Sequence, residues 1–230
     1  MVKPVSLWRL MVVLLVFPGC YLLYSLAPWS VKLFSHSDSN YFIPFFGGLI
    51  VLHWVSFFIC WRFVKSSGWT AGHVGFGYSK KDIRNGLAIY FAIALGLLFL
   101  IEVVVMQADL NAEKLKQIGD FFPKTTAQRV LFIFTALSAG FCEEFVYRGF
   151  GIRALESRKV NTWVALLITS LSFTFVHGMV VFERFPGYFF PGLIFGLLFV
   201  WRKTLALPMF IHALIDLTAI LMILQAVSGT

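Results

Sequence analysis

The chain has 230 residues, 59% hydrophobic and only 13% charged, with a mean hydropathy of +0.84. An average soluble domain is about half apolar and about a quarter charged, so an ordinary soluble protein is excluded. The net charge of +8, from 19 Lys and Arg against 11 Asp and Glu, does not call for nucleic acid as a partner. The basic residues flank apolar blocks, where they set orientation in a lipid bilayer.

Apolar blocks of about twenty residues match the roughly 30 Å hydrocarbon core. They predict an all-α, polytopic helical bundle of about seven spans in a single integral membrane domain, 1–230. In chain order the predicted spans are about 7–27, 41–61, 86–106, 130–150, 162–182, 188–201 and 205–227. The first follows Lys3 and Arg9 and runs on past Gly19-Cys20 to Ala27, which favours an uncleaved helix over a signal peptide. The sixth is short and carries Pro191, with Gly192 and Gly196 four apart as a face for close helix approach. Cys20, Cys60 and Cys142 lie inside apolar blocks without C-x-x-C spacing and read as small buried hydrophobes.

Basic residues in alternate loops set the expected topology. One side collects Lys3, Arg9, Arg62, Lys65, Lys80, Lys81, Arg84, Arg153, Arg158, Lys159, Arg202 and Lys203. The other collects Lys32, Lys114, Lys116, Lys124, Arg129 and Arg184. The richer side is cytoplasmic, which puts the N-terminus inside and the C-terminus outside. Segment 62–84 reads as a cytoplasmic loop or surface helix.

A charge near the bilayer centre costs about 2.5–3.5 kcal/mol even on the lenient insertion scale. Glu143, Glu144, Arg148, His177, His212 and Asp216 nevertheless fall in or at the edge of spans, and together they look like one site. Glu144 and Arg148 are four apart in the favourable acid-to-base order and can pair. Glu143 is rotated by about 100° and has Tyr147 one turn on, which makes it the carboxylate free for chemistry. His212 and Asp216 share a helix face, so the acid can accept the ring N–H and orient it. If spans four and five turn near Lys159, Glu143 (16 residues before it) and His177 (18 after it) differ by only about 3 Å in height. His212 sits lower unless the fourth helix projects past the bilayer, as Arg153, Glu156 and Arg158 suggest. His53, beside Trp54, reads as interfacial. Glu102 reads as snorkelling toward water, and Trp29, Trp61, Trp69, Tyr188 and Trp201 read as an interfacial belt.

The motifs Glu143-Glu144-x-x-x-Arg148, Phe173-x-x-x-His177 and His212-x-x-x-Asp216 together resemble the CPBP family of intramembrane proteases. That family includes CAAX prenyl endopeptidases and bacteriocin-processing or self-immunity proteins. The likeness covers about 130–220 and marks 126–227 as the catalytic core, with 1–125 as additional N-terminal transmembrane helices. It implies a glutamate-dependent endopeptidase of a bacterial cytoplasmic membrane, acting on a membrane-embedded or lipidated peptide. In the implied mechanism Glu143 and His177 activate water, while His212 and Asp216 serve the oxyanion. Glu144, Arg148 and Phe173 are supporting residues, and no cofactor is implied. An ionised Asp cannot donate a hydrogen bond, so Asp216 is expected to orient His212. The rival readings are a divalent-metal protease built on the same residues, a non-catalytic immunity or scaffold protein, and a proton-coupled transporter.

Overall fold

The computed structural model describes residues 4–27, 30, 41–77, 80, 84–93, 96 and 123–228, with side chains to Thr218. Its long elements are all helical: α1 (Leu7–Ser25), α2 (Phe42–Ser66), α3 (Thr126–Ser157), α4 (Thr162–Thr174), α5 (Val181–Arg202) and α6 (Ala206–Ser228). Among the described residues four stretches are long and apolar enough to cross a membrane: α1, α2, α3 and the path Thr162–Arg202. The predicted third span, with Glu102, lies largely outside the described residues, as does Trp29. The predicted fifth and sixth spans form one helical path. It bends at a tight 3₁₀ segment, Phe175–Val180, where Gly178 has φ 72°, and again at Arg184, two residues before Pro186. Proline removes a donor and disfavours helical geometry in the residue before it.

Local chemistry explains where these helices start and how they tolerate breaks. Thr125 and Gln128 form a reciprocal capping box at the start of α3, and Asn161 caps α4 through the Trp163 N–H. Pro18 deprives the Leu14 carbonyl of its usual helical donor, and Ser172 of α4 supplies one at 2.9 Å. A chain break in the bilayer is tolerable when a neighbouring side chain re-satisfies the freed group. The small residues act as expected. A Cβ on Gly192 would meet the Phe173 ring at 2.8 Å, and one on Gly196 would lie 3.2 Å from Leu166, so α5 rests directly on α4. Gly140 likewise admits the α6 backbone at Ala213, 2.9 Å away.

One end of the bundle gathers the loops that charge assigns to the cytoplasm. Ser157 accepts from the Val5 N–H, Arg158 donates to the Val5 carbonyl, and Arg9 donates to Ser67. The Leu205 N–H donates to the Gly75 carbonyl, and Thr204 to that of Gly77. Segment 67–77 is no free surface loop, because Trp69 and Val74 are buried and Trp69 packs against Phe150. Trp69 therefore departs from the expected interfacial belt, whereas Trp201 is exposed on the bundle's outer face. Cys60 and Cys142 are buried as expected, but Cys20 is exposed on α1.

The height problem for His212 is resolved by α3. Leu205 packs at the level of Gly149, whose Cβ would stand 3.0 Å from its side chain. α3 continues eight residues further to Ser157, about 12 Å at 1.5 Å per residue. Glu143 lies six residues above Gly149 and His212 seven above Leu205, so the two reach the same depth.

Candidate active site

Every sequence-derived site residue lies in one region between α2, α3, α4, α5 and α6, and the pairings differ from expectation in two respects. Glu144, fully buried, does pair with Arg148, at 2.9 Å. Arg148 also donates to the Gly192 carbonyl at 2.7 Å and lies over the Phe173 ring, 4.2 Å from its centroid. A buried guanidinium is tolerated when an opposite charge pairs with it, and here both terminal nitrogens are hydrogen-bonded. Phe173 is the hub: its ring also makes edge contacts with Tyr147, His177 and His212.

The first departure concerns His212. Its Nδ1 lies 2.8 Å from Glu144 Oε1, while Asp216 stands 3.6 Å from the opposite nitrogen, Nε2. Glu144, not Asp216, is therefore the carboxylate that orients His212. The i, i+4 spacing brought Asp216 near the ring, but α3 crosses α6 closely at Gly140 and delivers a better-placed acceptor. Glu144 thus bridges Arg148 and His212, and Phe195 stacks on the same imidazole at 4.7 Å.

The second departure is His53. It is neither interfacial nor alone: it is buried, and its Nε2 lies 3.1 Å from Glu143 Oε1. The carboxylate read as free is held by a histidine from the second helix, while its other oxygen stands 4.0 Å from His212 Nε2. Tyr21 of α1 stacks on His53 at 5.9 Å. A lone histidine has no intrahelical partner, so only the packing of α2 on α3 reveals its role. Tyr188 was missed for the same reason, since its ring stacks on His177 at 4.1 Å.

Proton positions follow from the partners. The Thr174 carbonyl, 3.2 Å from His177 Nδ1, can only accept, so Nδ1 carries hydrogen and Nε2 keeps its lone pair. By the same logic His53 donates from Nε2 to Glu143, and His212 donates from Nδ1 to Glu144. A cavity of about 850 Å³ is lined by Glu143, His53, His177, His212, Asp216 and Tyr188, with Phe45, Phe46, Leu49 and Phe132 forming an apolar wall. Its size is that of a ligand pocket. Among the described residues no group of three or more His, Cys, Asp or Glu is placed to hold a metal ion.

Comparison with known proteins places this geometry. Residues 125–218 match the family described as Type II CAAX prenyl endopeptidase Rce1-like. The motif-bearing segment is thus similar to an Rce1-like domain. The membrane-embedded CAAX protease MroQ of Staphylococcus aureus (strain USA300) is 30% identical over 146 residues, covering 59% of this chain and 56% of that relative. The chain thus spans little more than half the length of that relative. No solved structure matches the chain. The domain, the membrane-embedded relative and the four apolar helices together make this an integral membrane protein. His53 and Tyr21 lie outside the Rce1-like segment, so the N-terminal helices contribute to the wall of the site.

Proposed function

We propose that the protein is an intramembrane endopeptidase that hydrolyses a peptide bond of a membrane-associated substrate with water activated by Glu143 and His177. The observation that carries this reading is the convergence of Glu143, His177 and His212 on one cavity at one depth, with Glu143 and His212 only 4.0 Å apart. Proteolysis needs a base, an oxyanion donor and a shielded space, and these residues supply all three.

In this mechanism His53 fixes one oxygen of Glu143 and leaves the other toward the cavity. Glu143 takes a proton as water attacks the scissile carbonyl, with the unprotonated Nε2 of His177 as a second acceptor for that water. His212 donates from Nε2 to the developing oxyanion while its Nδ1–H stays on Glu144. Collapse of the tetrahedral intermediate returns the proton from Glu143 to the leaving amine. Arg148 and Phe173 hold Glu144, and through it His212, in place.

The test is a comparison of protein termini in membranes of cells lacking the native chain, complemented with wild type or with Glu143→Gln. New termini that appear with wild type and vanish in the variant support proteolysis. Identical termini in both would leave the non-catalytic scaffold reading in its place.

A further inference from the structure

The cavity is directional. His212 at its floor is buried, the Asp216 side chain is 34% exposed, and Glu183, Arg184 and Gly187 at its rim are exposed. The rim is built from the C-terminal end of α1, the N-terminal end of α2 and the bend before α5, tied together by the Met179 N–H donating to Ser25 Oγ and by Tyr24 donating to the Phe45 carbonyl. These are the ends remote from Val5, Ser67, Gly75, Ser157 and Leu205, which gather at the basic end. None of those five residues lines the cavity. From Glu143 to Ser157 there are 14 residues of helix, about 21 Å, packed with Phe145, Phe150 and Phe199. Among the described residues the site is closed toward the basic end and open toward the other.

The basic end carries the loops with 12 of the Lys and Arg residues named above, against 6 opposite, and the richer side is retained in the cytoplasm. We propose that the active-site cavity is served from the extracytoplasmic face. Its substrate is a polypeptide stretch adjoining an apolar membrane anchor, with the cleaved bond in the outer half of the bilayer. The aromatic wall of Phe45, Phe46 and Phe132 receives apolar side chains flanking that bond, and Glu183 and Arg184 meet the polar stretch beyond it. The substrate assignment rests on the proteolytic reading, whereas the direction of access does not.

Two measurements separate the two claims. Gly187→Cys at the rim and Gly72→Cys at the basic end are each made in wild type, and both positions have room for a side chain. A charged, membrane-impermeant maleimide is then applied to spheroplasts and to inverted vesicles, with the unaltered protein giving the background from Cys20. Labelling of Gly187→Cys from outside and of Gly72→Cys only in inverted vesicles is expected. Labelling of the rim only from the cytoplasmic side, or from neither side, overturns extracytoplasmic access. In the second arm, a cleavage segment mapped from the termini is fused to the outer or the inner end of one single-span anchor. Cleavage of the outer fusion alone is expected, and cleavage of the inner one overturns the substrate assignment. If neither fusion is cut, the proteolytic reading fails while the labelling still decides access.

Discussion

His53 of α2 donates its Nε2–H to Glu143 of α3 across 3.1 Å, with both side chains almost fully buried. A hydrogen bond to a charged group contributes about 1.5–3 kcal/mol. His53→Ala is therefore expected to lower kcat by roughly 10- to 100-fold with a smaller change in KM, because the histidine positions the base without binding substrate. His53→Gln, which retains a donor, should recover part of the loss. Steady-state kinetics on the purified protein check this, and an effect confined to KM would contradict it.

Glu144 and Asp216 exchange their expected importance. Glu144→Gln weakens the partnership with both Arg148 and His212, and breaking a buried ion pair costs about 3–5 kcal/mol. Thermal unfolding in detergent should show a lower Tm together with lost activity. Asp216→Asn, at a half-buried position facing the cavity, should keep the wild-type Tm and the larger share of activity. A more severe loss in Asp216→Asn than in Glu144→Gln would restore Asp216 as the residue that orients His212.

The three motifs were legible because each is an i, i+4 pair on an apolar helix, where a polar residue stands out and its helical neighbour is known from spacing alone. Glu143, Arg148, His177 and His212 stand out in this way, and counting residues about a turn puts Glu143 and His177 at similar expected heights. Spacing says nothing of partners on other helices. It could not rank Asp216, four residues from His212, against Glu144, 68 residues away, nor could it bring His53 and Tyr188 to the site. Periodicity likewise separated the fifth and sixth spans at a polar, proline-bearing stretch. The helix instead bends there at Gly178 and Arg184 and continues, and that bend forms part of the cavity rim.

The approach of α5 to α4 gives a test of packing alone. Gly192→Ala would press a methyl group into the Phe173 ring, 2.8 Å away, beside the carbonyl that accepts from Arg148. Overpacking of this kind costs about 1–3 kcal/mol, so a lower Tm is expected. Gly187→Ala, where nothing lies within 4 Å of the new atom, should leave Tm close to wild type. Equal melting of the two variants would mean that the helices are not in this register.

The freed Leu14 carbonyl makes a smaller, independent prediction. Ser172→Ala removes its donor at 2.9 Å and should lower stability by about 1 kcal/mol, with kcat changed little because Ser172 does not line the cavity. Thermal unfolding and kinetics measured on the same preparation separate these two effects.

In the proposed mechanism Glu143 activates the attacking water with no metal ion in the step. The most direct measurement of this is the cleavage rate of a substrate segment mapped from cellular termini, with purified protein in liposomes, for wild type with and without a strong chelator and for Glu143→Gln. Wild type is predicted to keep its rate in chelator and Glu143→Gln to lose it. Loss of the wild-type rate on chelation with recovery by a divalent ion, or a wild-type rate in Glu143→Gln, would contradict it.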